Sequence, residues 1–291
     1  MKIARFEHQH SVHLGIVDPD QGVIDLLPHE AGAADPMIAL IERDLAGERP
    51  RGSGERVALK DVRLLPPIAR PRKNILCVGK NYAAHAAEFT KSGYDGSAKS
   101  LTDPIPDDPI IFTKAPCTMT GARDDVLPPW ELSHEIDYEA ELGVVIGRPG
   151  RRIGRGDALA HVWGYTVIND VTARDLQVKH KQWLLGKSID TFCPIGPWLV
   201  TADELDYRNI DIRCWVNGEL RQQANTRDMI FDIPAIIATI SGSMSFETGD
   251  IIATGTPAGV GVGFKPPKFL QAGDVVRIAI AGIGELENRV K

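Results

Sequence analysis

The chain has 291 residues, 43% hydrophobic and 25% charged, the balance of a globular protein with room for a large core or for one large and one small domain. Its formal net charge of −6 and the lack of any basic run argue against a nucleic-acid or membrane-surface partner. No apolar run approaches a membrane span, no signal peptide precedes the first strand pattern, and Cys77, Cys117, Cys193 and Cys214 show no C-x-x-C spacing, so a cytoplasmic protein with reduced thiols is expected.

Short alternating segments at 2–7, 12–17 and 22–27 predict strands, with a turn at Asp18-Pro19-Asp20-Gln21-Gly22. Helical spacing follows over 36–46 and a further strand pattern over 57–65. These make a small α+β domain of residues 1–65, closed by a proline-rich linker at 66–72. The remainder, 73–291, carries strand patterns at 74–78, 110–113, 136–146, 162–168, 195–201, 210–216, 251–254 and 275–280. Helices are few: 83–89, 173–181 and 233–241. Strands and helices do not alternate regularly, which excludes a doubly wound sheet. The expected class is α+β and β-rich, with a mixed β-sandwich or roll as the larger domain. Residues 91–109, rich in Gly, Pro, Ser and Asp, form a long loop that fits either a lid or a surface insertion.

Two constellations could carry chemistry. In a strand over 136–146, Glu139 and Glu141 project from one face, roughly 6–7 Å apart along the chain, while Ala140, Leu142 and Val144 take the other. Asp170 ends the neighbouring apolar run. Three acids buried together would repel, and a hard divalent cation removes that cost. The same residues also fit an acidic, solvated edge strand. The second constellation is His85 and Glu88, three apart on a helix and so on one face. A carboxylate on one imidazole nitrogen fixes the tautomer and makes the other nitrogen a general base, although such a pair is also common on surfaces.

Five motifs in order resemble the fumarylacetoacetate hydrolase family. They are Val78-Gly79-Lys80-Asn81-Tyr82 with His85 and Glu88; Asp137-Tyr138-Glu139-Ala140-Glu141-Leu142; Asn169-Asp170-Val171-Thr172-Ala173-Arg174-Asp175-Leu176-Gln177; Gly186-Lys187-Ser188 through Pro197; and Thr254-Gly255-Thr256-Pro257-Ala258-Gly259. The likeness spans residue 74 to the C-terminus, and the first 65 residues look like the small N-terminal unit of many bacterial members. The resemblance implies that Glu139, Glu141 and Asp170 bind Mg²⁺ or Mn²⁺, with Ca²⁺ a further option. It implies that His85, paired with Glu88, activates water and that Lys187 stabilises an oxyanion. Lys114, Arg174, Gln177, Gly255 and Thr256 would hold substrate. No counterpart of the extra acidic ligand of longer members is evident, so the chain looks like the short, three-carboxylate type. That type includes acylpyruvate hydrolases, oxaloacetate decarboxylases, isomerases of hydroxymuconate-type diacids and hydrolases of diketo sugar acids. The expectation is a homodimeric, metal-dependent hydrolase that cleaves a C–C bond in an acylpyruvate-like 2,4-dioxo acid through an enolate. The alternative is an isomerase or decarboxylase on the same scaffold, and a ligand-binding protein without catalysis is the rival of another class.

Overall fold

The computed structural model describes residues 1–28, 32–95 and 104–291. The first stretch of chain forms strands β1 (Lys2–His8), β2 (Ser11–Asp18) and β3 (Val23–Leu26), helix α1 (Pro36–Leu45), and the short strands β4 (Arg56–Ala58) and β5 (Arg63–Leu64). Asp35 starts α1, its carboxylate accepting the Met37 and Ile38 N–H groups, and Pro36 occupies the first helical position. The strand expected over 57–65 is interrupted by a turn of 3₁₀-helix at Leu59–Asp61.

Strand β6 (Ile75–Gly79) leads into α2 (Ala83–Ser92), an alanine-rich helix that stops at Gly93 in the left-handed region. Then come β7 (Ile110–Lys114), β8 (Met119–Thr120), β9 (Ile136–Asp137), β10 (Ala140–Ile146), β11 (Val162–Asn169) and β12 (Thr172–Ala173). Two short helices follow, α3 (Arg174–Lys179) and α4 (Leu184–Lys187). The chain ends with β13 (Cys193–Thr201), β14 (Asp211–Val216), β15 (Glu219–Asn225), α5 (Ile233–Ser243), β16 (Ile251–Ala253), β17 (Val275–Ile280) and β18 (Gly284–Arg289).

Among the described residues a twelve-stranded sheet has the order β4-β3-β2-β1-β13-β11-β10-β16-β6-β7, with β5 on β1 and β8 on β13. A four-stranded sheet, β15-β14-β17-β18, packs on one face. Ala140, Leu142, Val144 and Val167 of the large sheet share that core with Ile212, Cys214, Ile278 and Leu286 of the small one. The opposite face is covered by α1, whose Met37, Ile38 and Ile41 meet Ile75, Val145, Ile168 and Ile251. The molecule is thus β-rich α+β with a sheet-on-sheet core, as the pattern of short strands implied. Strand β1 pairs directly with β13, Lys2 opposite Val200, so the N-terminal segment continues the sheet of the rest. No described helix is long and apolar enough to cross a membrane.

Candidate active site

Strand β10 lies in the middle of the large sheet, between β11 and β16. The strand expected over 136–146 breaks at Tyr138-Glu139, so Glu139 sits just before β10 and Glu141 within it. Backbone contacts hold the break: the Glu139 N–H donates to the Asn169 side chain at 3.0 Å and its carbonyl accepts the Asp170 N–H at 2.9 Å. Glu139, Glu141 and Asp170 are 4%, 1% and 0% exposed, so the solvated-edge reading does not describe them. One carboxylate oxygen from each lies within 4.8 Å of the others.

Among the described residues, Lys187, Lys114 and Arg174 surround this cluster. Lys187, at the end of α4, places Nζ 2.7 Å from Glu139 Oε2 and 2.6 Å from Asp170 Oδ2. Lys114 donates to the other Asp170 oxygen at 2.7 Å and to the Val171 carbonyl at 3.0 Å. Arg174 places one terminal nitrogen 2.6 Å from Glu139 and donates Nε–H to Asp137 at 2.9 Å. Burial opposes ionisation of Glu139, but Lys187 and Arg174 outweigh it and hold its carboxyl below the usual range. Glu141 receives the Gly255 N–H at 2.8 Å, yet burial, then Asp170 and Glu139, push its carboxyl well above the usual range. An all-oxygen donor set with an undercompensated carboxylate fits a hard divalent cation such as Mg²⁺ or Mn²⁺.

His85 and Glu88 lie side by side on α2. His85 Nδ1 lies 3.4 Å from Glu88 Oε2, and Glu88 is held in turn by the Gly259 N–H at 3.0 and 3.1 Å. With Nδ1 engaged, Nε2 is the nitrogen available for proton transfer. His85 and the carboxylates Glu139 and Glu141 line one small cavity. Arg174, Gln177, Lys187 and Thr256 line it too, and Phe89, Phe112 and Trp183 form an aromatic wall. Gly79 passes close beneath Trp183: a Cβ there would come within 2.7 Å of the indole ring, so only glycine fits.

Not every expected contact residue faces this cavity. Lys114 is fully buried beside Asp170 and is not among the lining residues. Strand β7 turns its last side chain toward the carboxylates, which the sequence pattern does not disclose. Gly255 likewise serves Glu141. Thr256 Oγ1 donates to the Ala140 carbonyl at 3.0 Å and accepts from Gln222 at 2.8 Å. The helix expected over 173–181 is shorter, Arg174–Lys179, and still places Gln177 3.3 Å from Arg174. The part of the expected lid at 96–103 lies outside the described residues.

Two charged residues to which the sequence assigned no role, Asp137 and Lys80, stand in or beside the site. Asp137 is fully buried and accepts N–H groups from Gly261 at 2.6 Å and Val262 at 3.0 Å besides Arg174. Lys80 lines the cavity and pairs with Asp95 at 2.7 Å. Both sat inside recognised motifs, but nothing in a linear motif says which acid meets which base.

Comparison with known proteins follows the same lines. The family profile described as fumarylacetoacetate (FAA) hydrolase C-terminal matches residues 74–291. The chain belongs to the fumarylacetoacetate hydrolase family. A second profile, Rv2993c-like, N-terminal, matches residues 1–67. Among members of the family, the oxaloacetate tautomerase YisK of Bacillus subtilis is 43% identical over 310 residues, covering 100% of both chains. A fumarylacetoacetate hydrolase structure from Exiguobacterium antarcticum superposes with a TM-score of 0.85 at 40% identity, covering 100% of this chain and 99% of the other. A 2-hydroxyhepta-2,4-diene-1,7-dioate isomerase from Mycobacterium marinum gives 0.78 at 34% identity, covering 100% and 98%. A maleylpyruvate hydrolase from Sphingobium sp. SYK-6, in complex with manganese(II) and pyruvate, gives 0.77 at 33% identity over 100% and 98%. The chain is therefore an enzyme of this family, with an acidic triad that could hold a metal ion.

Proposed function

We propose that this enzyme interconverts the keto and enol forms of oxaloacetate or a closely similar 2-oxo diacid, using Mg²⁺ or Mn²⁺ held by Glu139, Glu141 and Asp170. The observation that carries the choice is the likeness to an oxaloacetate tautomerase over the whole of both chains, and the isomerase among the solved relatives supports it. Proton transfer, the alternative reading of the sequence, thereby takes precedence over hydrolysis, which was expected first.

A bound dication withdraws electron density from the 2-oxo group and acidifies the neighbouring C–H. The remaining work belongs to side chains. Glu88 fixes Nδ1 of His85, so Nε2 can take the proton from the carbon beside the 2-oxo group and deliver it to the oxygen to give the enol, and carry it back in the reverse direction. The Lys187 ammonium offsets negative charge developing on the substrate oxygen. Arg174 and Gln177, tied to each other and lining the cavity, orient the acid. Phe89, Phe112 and Trp183 give the cavity an apolar side. A cytoplasmic homodimer completes the reading, and light scattering checks the dimer.

The test follows the ultraviolet absorbance of enol-oxaloacetate mixed with Mn²⁺-loaded protein. Decay of the enol should outpace the metal-only control, and His85→Ala should lose that acceleration. No acceleration, together with cleavage of an acylpyruvate, would return the enzyme to the hydrolases.

A further inference from the structure

Among the described residues, the lysines and arginines lining the cavity are Lys80, Arg174 and Lys187. Two of them are bound up with the carboxylate cluster. Lys187 spans Glu139 and Asp170, and Arg174 is shared among Asp137, Glu139 and Gln177. Lys80 is different. Its side chain is 3% exposed, and its carboxylate partner, Asp95 at 2.7 Å, follows the C-terminal end of α2 rather than belonging to the triad. Asp95 is fixed independently by the Thr90 hydroxyl at 2.7 Å. The Lys80 backbone takes the left-handed region (φ 56°) at the corner between β6 and α2, a conformation that a non-glycine residue adopts at a cost. That corner is also the approach to His85, so the lysine and the base enter the cavity from one piece of chain.

A diacid whose 2-oxo acid end meets the triad carries a second carboxylate that must lose its water in a buried cavity. Desolvating that charge without a cation is costly. We infer that Lys80 is the specificity-determining residue that receives the distal carboxylate of the substrate. An ammonium has three donors, so Lys80 can keep Asp95 and still donate to a ligand. Asp95, itself held by Thr90, fixes the position of the lysine. This assignment rests on the diacid reading given above.

Calorimetric titration of Mn²⁺-loaded protein with oxaloacetate, its 4-methyl ester and oxalate tests the assignment. The ester removes only the distal charge, and oxalate engages only the metal end. Wild-type protein should bind oxaloacetate at least about tenfold more tightly than the ester, the scale of one charge-assisted hydrogen bond. Lys80→Met should bring the ratio close to unity and leave oxalate affinity unchanged, while Lys80→Arg should retain the preference. Asp95→Asn keeps an oxygen that can accept from the ammonium, so the lysine stays in place and the preference should persist there. An unchanged ratio in Lys80→Met, a parallel loss of oxalate binding, or an Asp95→Asn variant that copies Lys80→Met would each overturn the assignment. Failure of the tautomerase reading is distinct, since it shows as absent enol turnover in wild-type protein whatever the binding ratio.

Discussion

Glu141 differs from its two acidic neighbours because its side chain receives a backbone N–H where theirs receive lysine or arginine. It therefore gains most from a dication. Glu141→Gln should weaken Mn²⁺ binding by at least about tenfold, since one of three ligand charges is gone. The same change relieves repulsion in the metal-free protein, so its melting temperature should rise by about 2–4 °C, the equivalent of about 1 kcal/mol in a chain of this class. Calorimetry and thermal melts check the two signs together. The thiols offer a pH test. Burial, then Asp190, raises the exposed Cys117 thiol, so its reaction with a disulfide reagent should be slow at neutral pH and accelerate as alkali forms thiolate. Burial pushes Cys193 to about 12 and raises Cys77 and Cys214. One thiol should react in the native protein and four after denaturation. At this scale the acids were legible because strand alternation puts Glu141 opposite Ala140 and Leu142. Lys114 and Asp137 were not, because each is defined by a partner far away in sequence.

Helix α2 and the glycine-rich segment after β16 act as one device. The Gly259 N–H holds Glu88, and the Gly261 and Val262 N–H groups hold Asp137, which fixes Arg174. Gly259 has φ 103°, and a Cβ there would lie 1.9 Å from the Arg221 carbonyl oxygen. Gly259→Ala must move this segment and release Glu88. Turnover should fall by at least about tenfold, the lower part of what a positioned general base contributes. Mn²⁺ affinity, measured in parallel, should fall far less. His85→Ala removes the base directly and should abolish enol turnover with Mn²⁺ and oxalate binding intact. Helix α2 itself was legible from its alanine run and its His85–Glu88 spacing. Helix α4, which delivers Lys187, was missed: four residues between turns carry too little periodicity to read, and tertiary contacts hold them.

Across the whole molecule, β1 and β13 make the N-terminal segment part of the main sheet, and α1 closes the core on the face opposite the small sheet. Scanning calorimetry should therefore record one cooperative transition, and removal of residues 1–65 should leave protein that aggregates. Two separated transitions would contradict this coupling. The proline-rich connector marked a boundary in sequence, but pairing of strands about two hundred positions apart leaves no local trace. The central place of β10 has one further consequence. Its even-numbered residues are packed between two sheets, and its odd-numbered face carries Glu141. Adding a single residue inside Ala140–Ile146 would turn the strand inside out, sending carboxylate into oil and leucine into the cavity. Lengthening the chain at the break before β10 would spare that alternation. Glu141 is thus guarded against slippage by the apolar residues on either side of it, and any variant that keeps the core in register keeps its carboxylate aimed.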